Sequence, residues 1–505
     1  MSLNYNFIWL LCYLLVLVGL AGYGFHRLSI VYLYWKNRNN KPQPKARFQE
    51  LPVVTVQLPM FNEKFVVDRL LESVAALDYP QDKLEIQILD DSTDDTTEQC
   101  YRKVEELKSR GFDAVCIHRT DRTGFKAGAL EAATKVAKGE FLLILDADFV
   151  PEPDLLQKTI HFFTDENVGL VQTRWGHINR EYNLLTRIQG MYLDGHFAME
   201  QTARNRSGRF FTFNGTAGIW RKCVIGDAGG WSHDTLTEDM DLSYRVQLRG
   251  WRFIYLNDVV TPAELPVDMD GFKSQQHRWT KGSIQVCQKI LLDIWRSNAP
   301  LKAKVEATTH LTCNYSYLLL ALLCFLVYPI CTQRIPENET VFMWFVNVAL
   351  FFMTSVAVCI FYMSAQIVVR PKSWWKELPY LPLLLTLSVG MAVNNAKAVL
   401  EAIFGHQSTF VRTPKYGVDR KEDRRHVSQL KRNGYRAIKS VVIPVLEIAC
   451  GTFFLNLIII MIRQGHYLSP ILMIPFLGFY YTGFCSLGRM ISNLLPAKQT
   501  AKAKN

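Results

Sequence analysis

Cysteine patterns that bind zinc or form disulfides are missing from this sequence. Its eleven cysteines are scattered, without a CxxC pair or a Cys/His cluster. Several of them, including Cys12, Cys324 and Cys450, lie in apolar runs, where cysteine behaves as a small hydrophobic residue. Because disulfide frameworks and zinc sites need cysteines at regular spacings, the sequence predicts neither.

Two glycine-rich nucleotide motifs are also absent. The sequence contains neither GxGxxG nor GxxxxGKS/T, which argues against a dinucleotide-binding domain and against a P-loop ATPase. It also has no internal repeat and no low-complexity segment. A chain of 505 residues is long enough for one large domain together with membrane segments.

Acidic residues are outnumbered, with 46 Asp and Glu against 57 Lys and Arg, which gives a net charge of +11. Such an excess often indicates nucleic-acid binding. Here, however, the basic residues flank apolar runs, in Lys36–Arg47, Arg370–Lys376, Arg412–Lys439 and Lys498–Lys504. This distribution is typical of a membrane protein with its basic loops inside, so we predict a bilayer and no nucleic acid as partner.

Long apolar runs lie at both ends of the chain. A run of about 20 residues spans the ~30 Å hydrocarbon core, and the predicted crossings are Phe7–Tyr23, Leu311–Ile330, Val341–Val369, Val441–Ile462 and Tyr467–Leu494. Polar residues interrupt Pro379–Phe404, which has basic residues on both sides, so we predict an interfacial or re-entrant helix there. The charge distribution predicts that most of the chain is cytoplasmic.

The middle of the chain alternates short apolar runs with helical patterns. The predicted strands are Val53–Leu58, Leu84–Leu89, Ala114–His118, Phe141–Leu145, Leu170–Trp175 and Trp251–Leu256. The predicted helices are Lys64–Leu77, Thr93–Lys108, Gly124–Lys138, Glu181–Arg204, one that begins at Glu238 behind a Thr237 cap, and an amphipathic interfacial helix, Asp270–Trp295. This alternation predicts an α/β fold with a mostly parallel sheet.

The stretch Phe141–Val150, FLLILDADFV, ends a predicted buried strand with two carboxylates. Ligands of open α/β sheets bind at the carboxyl ends of the strands. Asp146 and Asp148 are two residues apart, so in an extended segment both face the same side. Their hard oxygen donors suit Mg²⁺ or Mn²⁺ shared with a substrate phosphate. An acidic turn without a metal explains the motif equally well when it is taken alone.

Further polar residues occupy similar positions. Asp90 and Asp91 follow the second strand and indicate a nucleotide crevice, although a helix N-cap is the simpler explanation of the pair alone. Lys126 can supply a cation to a base or phosphate, or can be a solvated lysine at a helix start. Glu238 and Asp239 can equally complement a helix dipole.

These segments occur together in one order that resembles family 2 glycosyltransferases of the processive, membrane-embedded type. The motifs are DDS at 90–92, KAGAL at 126–130, DAD at 146–148, TED at 237–239 and QQHRW at 275–279. Longer stretches, including FNGTAGIWR, DAGGW and STFVRTPKYG, are similar to the plant cellulose synthase-like A and C proteins and their bacterial relatives. The chain departs from the family at FVRTPK, where such synthases usually carry a VT-x-K loop.

The resemblance implies a cytoplasmic GT-A (Rossmann-like) glycosyltransferase domain fused to an α-helical transmembrane region with interfacial helices. It assigns Asp239 as the catalytic base, with Glu238 in support. It implies metal binding by Asp146 and Asp148, with Mg²⁺ or Mn²⁺ as the cofactor. The residues that it implies for nucleotide-sugar binding are Asp90, Asp91, Lys126, Asp146 and Arg278. Those that it implies for the acceptor are Phe213, Asn214, Gly215, Thr216, Gln275 and Trp279.

From composition alone, Arg278 and Trp279 would instead be a snorkelling arginine and an aromatic at the membrane interface. Trp175 can line the sugar cleft or belong to the core. These alternatives stay open in the sequence.

The implied activity is inverting, processive transfer of a hexose from UDP-glucose, or from GDP-mannose, to a growing β-linked glycan. Single transfer to a lipid, as in proteins like ceramide glucosyltransferase, is an alternative enzyme activity. A non-catalytic channel or scaffold is the alternative of another class, and the intact acidic motifs argue against it. The expected location is a bacterial inner membrane, or the Golgi or plasma membrane of a eukaryote.

The predicted division of the chain follows from these observations. It comprises an N-terminal anchor (1–36), a linker (37–50), the glycosyltransferase domain (51–265), interfacial helices (266–306), two transmembrane helices (307–370), an interfacial helix with a basic loop (371–439), two further transmembrane helices (440–495) and a basic tail (496–505).

Overall fold

The computed structural model describes residues 5–332, 349–350, 352–407, 412–418, 441–464 and 470–494. Its strands are β1 (Val54–Met60), β2 (Leu84–Asp90), β3 (Asp113–His118), β4 (Phe141–Ile144), β5 (Val168–His177), β6 (Gly218–Arg221) and β7 (Arg252–Ala263). The α-helices up to residue 300 are Tyr5–Asn37, Val67–Ala75, Thr96–Ser109, Phe125–Val136, Leu155–Thr159, Leu184–Asp194, Thr202–Arg206, Lys222–Asp227, Glu238–Leu248 and Met269–Arg296. Those that follow are Leu301–Thr312, Tyr315–Thr332, Ala357–Val369, Leu381–Gly390, Ala392–Ile403, Val442–Arg463 and Pro470–Leu494.

The described strands form one seven-stranded sheet in the order β3-β2-β1-β4-β6-β5-β7. β1 pairs in parallel with β2 and β4, β2 with β3, and β5 with β7. β6 runs antiparallel to both β4 and β5. The predicted α/β fold is therefore confirmed, with a mixed sheet in which the reversal at β6 was not predicted.

Both faces of the sheet are buried, as the continuous apolar run of β4 predicts. Phe141 and Leu143 belong to one core cluster, and Leu142 and Ile144 belong to the cluster on the other face. Since successive side chains of a strand point to opposite faces, helices must cover both sides of the sheet. Beyond the carboxyl end of β4, the chain emerges from the core at Asp146.

The predicted helix Glu181–Arg204 begins three residues late and is interrupted. Asn183 accepts a hydrogen bond from the Thr186 N–H, and the Thr186 hydroxyl accepts one from the Asn183 N–H, which forms a capping box. The α-helix therefore starts at Leu184, changes to a π-helix over Gly195–Gln201 and resumes as Thr202–Arg206.

Two described helices are long and apolar enough to cross a membrane, Ile8–Asn37 and Val442–Arg463. Two bent pairs meet the same criterion when each is taken as one unit: Leu301–Thr312 with Tyr315–Pro329, bent by 52°, and Trp374–Gly390 with Ala392–Ile403, bent by 41°. A bend of this kind is compatible with a broken crossing and with a re-entrant loop, so both interpretations of 379–404 stay open. The start of the predicted crossing Val341–Val369, most of the basic loop and the basic tail lie outside the described residues.

The helix Met269–Arg296 connects the sheet domain to the apolar helices. Lys273, 3% exposed, donates to the Glu447 carboxylate at 2.5 Å, to the Thr482 carbonyl at 3.0 Å and to the Ser486 hydroxyl at 2.9 Å. An ammonium group so deeply buried is tolerated only when it is paired and hydrogen-bonded. The contact therefore fixes this helix against the helices Val442–Arg463 and Pro470–Leu494.

Candidate active site

A cavity opens at the carboxyl ends of β1, β2 and β4, where an α/β sheet typically binds its ligand. It is a cleft that is open to solvent on one side, and its interior volume is about 180 Å³. The predicted site residues that line it are Asp91, Lys126, Asp146, Asp148, Asn214, Gly215, Glu238, Asp239, Gln275, Arg278 and Trp279. Three others, Asp90, Phe213 and Thr216, do not line it.

The two carboxylates that follow β4 contact different lysines. Lys126 Nζ lies 2.5 Å from Asp146 Oδ1, and Lys415 Nζ lies 2.7 Å from Asp148 Oδ2. Asp148 Oδ2 also accepts the Glu264 N–H at 3.1 Å. In each carboxylate the second oxygen has no recorded partner among the described residues, so both retain an oxygen for a ligand in the cavity.

The acidic pair Glu238 and Asp239 begins the helix Glu238–Leu248, as predicted. Asp239 Oδ1 accepts the Met240 N–H at 2.8 Å. Burial, together with the neighbouring Glu238 carboxylate, raises the pKa of Asp239 to about 7. Gly215 has φ of +80°, and a Cβ there would lie 3.1 Å from Asp239 Oδ2, so this glycine allows the loop to approach the carboxylate closely.

The predicted cap of this helix is wrong. Thr237 makes no capping hydrogen bond, and its hydroxyl is buried without a hydrogen-bond partner. Instead, Thr237 packs against the helix Met269–Arg296: a Cβ at Gly282 would come within 2.5 Å of its methyl group. Packing between the two helices therefore determines the position of this side chain.

The helix Met269–Arg296 supplies Gln275, Arg278 and Trp279 to the cavity wall. Burial lowers the pKa of Arg278, and the carboxylates of Glu238, Asp146 and Asp239 oppose that effect. Arginine stays protonated in either case. Arg278 therefore shares the cavity lining with both acidic motifs and is stabilised by their charge.

Lys126 lies between the same motifs. Besides Asp146 it donates to the Gly215 carbonyl at 2.9 Å. Burial disfavours its charged form, but the carboxylates of Asp146, Glu238 and Asp239 outweigh burial and raise the pKa of Lys126. It is therefore a fixed cation in the cavity and not a solvated lysine at a helix start.

The two aspartates at the end of β2 lie in different environments. Asp91 lines the cavity and receives a bidentate contact from Arg119, at 2.8 Å from Nε and 2.6 Å from the terminal nitrogen. Asp90 is fully buried and accepts from the Ser92 N–H at 3.1 Å and the Thr97 hydroxyl at 2.7 Å. Neither caps the next helix, which begins at Thr96 behind Asp95.

The segment before β6 places two of its four predicted residues in the cavity. Phe213 packs in the core, and the Thr216 hydroxyl accepts the Asp146 N–H at 2.8 Å. Asn214 Nδ2 lies 2.9 Å from His196 Nε2, a histidine whose pKa burial lowers to about 3. Because that ring is neutral, one of its nitrogens can accept a hydrogen bond from the Asn214 amide group and so orient the Asn214 side chain.

Sequence reasoning missed several charged residues of the cavity. Glu264, at the end of β7, accepts the N–H groups of Tyr416, Gly417 and Val418 at 2.9, 3.0 and 3.2 Å. These contacts place the segment 412–418 over Asp148. The FVRTPK segment was noted as a departure from the family, but nothing local connected it to Asp148.

A second missed contact lies on the same side. Arg412 pairs with Glu63 at 2.5 Å, beside the end of β1. Burial raises the pKa of Glu63 to about 7, although Arg412 opposes the shift. The position of Glu63 in the turn after a strand was the one available signal.

Backbone strain borders the cavity at three points. Asn62, Phe125 and Ala217 have φ of 56°, 48° and 56°, a region that residues other than glycine rarely adopt. Such conformations persist only where the surrounding structure enforces them, and they cluster at functional sites. All three occur in turns that bring a residue to the cavity.

No group of three or more His, Cys, Asp or Glu residues suited to holding a metal ion occurs among the described residues. Two carboxylates in one cavity are nevertheless compatible with Mg²⁺ or Mn²⁺, which commonly bind one or two carboxylates together with substrate phosphates and water.

Two family models match the chain. Residues 52–282 match "Glycosyltransferase like family 2", and residues 218–464 match "Cellulose synthase". Together they cover the cavity and continue into the apolar helices. The resemblance inferred from the motifs is therefore confirmed.

Curated relatives from two plants agree with these matches. The chain is 42% identical over 286 residues to glucomannan 4-beta-mannosyltransferase 2 of Arabidopsis thaliana, covering 54% of this chain and 53% of the relative. It is 40% identical over 277 residues to glucomannan 4-beta-mannosyltransferase 1 of Oryza sativa subsp. japonica, with the same coverage. The chain thus spans about half the length of the curated relatives it matches.

Among solved structures, the fold is similar to mannosyltransferase PcManGT from Pyrobaculum calidifontis, solved in complex with GDP-Man and Mn²⁺. The TM-score is 0.55 at 20% identity, and the match covers 78% of this chain and all of that one. This likeness confirms the predicted GT-A-like fold.

Proposed function

Because the chain matches the family 2 glycosyltransferases and continues into cellulose synthase-like sequence, we propose that it is an inverting, processive hexosyltransferase that extends a β-1,4-linked glycan. We favour mannose from GDP-mannose as the donor, because both plant relatives are named glucomannan 4-beta-mannosyltransferases. Glucose from UDP-glucose is the second candidate. The proposal depends on one observation, that Asp146, Asp239, Arg278 and Trp279 line a single cavity.

The charges of the cavity suit a divalent cation. Its described lining has seven carboxyl groups and five lysine or arginine side chains, so the acidic groups outnumber the basic ones by two. Asp146 and Asp148, each with an oxygen still available, would hold Mg²⁺ or Mn²⁺. The ion would neutralise the charge that grows on the diphosphate as the glycosidic bond breaks.

The chain's own residues then account for the transfer. Asp239 accepts the proton of the acceptor hydroxyl as that oxygen attacks the anomeric carbon, and its raised pKa makes it a stronger base than an ordinary aspartate. The bond to the diphosphate breaks in the same step, with Lys126 and Arg278 next to the leaving group. One displacement converts an α-linked donor into a β-linked product.

The acceptor sugar would stack on Trp279, with Asn214 and Gln275 beside it. We further propose that the apolar helices make this a multi-pass membrane protein with the sheet domain on the cytoplasmic side. The glycan would leave between those helices. This arrangement retains the division of the chain predicted above.

The test uses membranes that contain the full chain, Mn²⁺ and either radiolabelled GDP-mannose or UDP-glucose. We expect an ethanol-insoluble product from GDP-mannose that an endo-β-1,4-mannanase digests. A product that partitions into organic solvent would instead indicate transfer to a lipid. No turnover of either donor, with the protein folded and membranes that lack the chain as the blank, would refute the proposal.

A further inference from the structure

We propose that Arg122 reads the nucleobase of the donor and selects guanine over uracil. This inference rests on the proposed function, and it adds a residue that would select the nucleobase and that the family motifs do not assign. Arg122 lies in the turn between β3 and the helix Phe125–Val136, and it lines the cavity on the same side as Asp91.

The side chain of Arg122 stacks on an aromatic ring that also lines the cavity. Its guanidinium carbon lies 3.3 Å from the centroid of the Phe61 ring and 5.2 Å from that of Phe125. A guanidinium that stacks on a ring face keeps the hydrogens of its planar fork pointing outward in its own plane. The fork is thus held in one orientation while its edge remains available to a ligand.

The turns that carry this stack are held rigidly. Asn62, next to Phe61, donates its N–H to the Ser92 hydroxyl at 2.8 Å, and its side-chain oxygen accepts the Thr93 N–H at 2.8 Å. On the other side, Asp121 accepts the Thr123 N–H at 2.9 Å and the Thr123 hydroxyl at 2.6 Å. The strained φ values of Asn62 and Phe125 persist because of such contacts.

Two arginines that are close in sequence differ in their bonding. Arg119 makes its bidentate contact with Asp91 and also donates to the Phe125 carbonyl at 2.9 Å. The side chain of Arg122 has no hydrogen bond or ion pair to any described residue, and its Nε is buried without a partner. The two terminal nitrogens of Arg122 are not buried in this way, so they are the donors that a ligand in the cavity can reach.

Guanine fits this fork better than uracil. Its O6 and N7 form an acceptor pair that matches two parallel N–H groups of arginine. Uracil presents single carbonyl oxygens beside an N–H donor and has a smaller face for stacking. Adenine has N7 but carries an amino group where guanine has O6, so it offers one acceptor instead of two.

The test measures binding of four nucleoside diphosphates to the full-length protein in nanodiscs with Mn²⁺, by calorimetry. GDP and IDP share O6 and N7, whereas ADP and UDP lack that pair. For the unchanged protein we expect GDP and IDP to bind on the order of 10- to 100-fold more tightly than ADP and UDP, the usual value of a bidentate arginine–guanine contact.

Two variants isolate the fork. Arg122→Lys keeps the charge and Arg122→Met keeps the length, and both should reduce GDP and IDP affinity by most of that factor while UDP affinity changes less than about threefold. Arg102 is an exposed arginine on the helix Thr96–Ser109, and Arg102→Lys is the matched control. It should leave the affinity for all four nucleotides unchanged. Thermal melting of each variant verifies folding.

Distinct outcomes refute the two proposals. If the Arg122 variants lose affinity equally for GDP and UDP, the effect is one of general charge, and the role of Arg122 in selecting the base is overturned. A preference of the unchanged protein for UDP, or Arg122 variants that bind GDP normally, would also overturn it and leave the hexosyltransferase proposal standing. If the unchanged protein binds none of the four nucleotides, the proposed function fails as well.

Discussion

Replacing Asp239 by asparagine removes the proposed base with little change in shape. The asparagine oxygen can still accept the Met240 N–H that Asp239 Oδ1 accepts at 2.8 Å, so the start of the helix Glu238–Leu248 should be preserved. Lys126 keeps its contacts with Asp146 and the Gly215 carbonyl. The donor side of the cavity should therefore be unaffected.

The expected loss of rate follows from what the carboxylate does. General base catalysis by a positioned side chain contributes about 10²- to 10⁴-fold, and a neutral amide cannot accept the acceptor's proton. We therefore expect Asp239→Asn to lower kcat by about that factor while the Kd for GDP changes less than about threefold. Single-turnover transfer from radiolabelled donor measures the first quantity, and calorimetry in nanodiscs measures the second.

Two controls define what would refute this assignment. Asp234→Asn changes an exposed aspartate of the preceding loop and should leave the rate unchanged. Glu238→Gln changes the neighbouring carboxylate and should lower kcat by a smaller factor than Asp239→Asn does. A variant at Asp239 that transfers hexose at the unchanged rate, or that loses rate only because it no longer binds the nucleotide, would remove Asp239 as the base.

Three further predictions follow from the same cavity. Asp148→Ala should weaken Mn²⁺-dependent GDP binding by at least about 10-fold, since losing even an outer partner of a metal ligand costs that much; unchanged binding by calorimetry contradicts the metal role. Because burial and Glu238 raise the pKa of Asp239 to about 7, the base becomes protonated as the pH falls through that value, so kcat/KM should decline there. Glu238→Gln should move this decline to lower pH, and a rate that is flat down to about pH 5 rules the assignment out. Glu264→Gln weakens the contacts to three N–H groups, so trypsin should cleave after Lys415 about 10-fold faster; an unchanged cleavage rate would show that Glu264 does not hold the segment.

Local pattern predicted most of the sheet domain correctly. β4 was expected over Phe141–Leu145 and extends over Phe141–Ile144, because a short apolar run bounded by polar residues is a strong strand signal. The same argument placed Asp91, Asp146 and Asp148 at strand ends, and all three line the cavity. Where the signal was a run of residue types, sequence and structure agree.

What sequence reasoning missed depends on contacts between distant segments. β6 has only four residues, and it is a strand because β4 and β5 pair with it from both sides, which no local period reveals. Lys415 reaches Asp148 across 267 positions of the chain. Thr237 had the right type for a cap, but close packing at Gly282 determined its position instead.

The walls of this cavity come from residues as far apart as Pro59 and Lys415. A fragment that ended after the last strand would lack Arg278 and Trp279, and one that ended after the next helix would lack the cation beside Asp148. Engineers who exchange parts between such enzymes should therefore transfer the sheet, the connecting helix and the returning segment as a set. The smallest transferable piece is defined by the cavity and not by a continuous stretch of sequence.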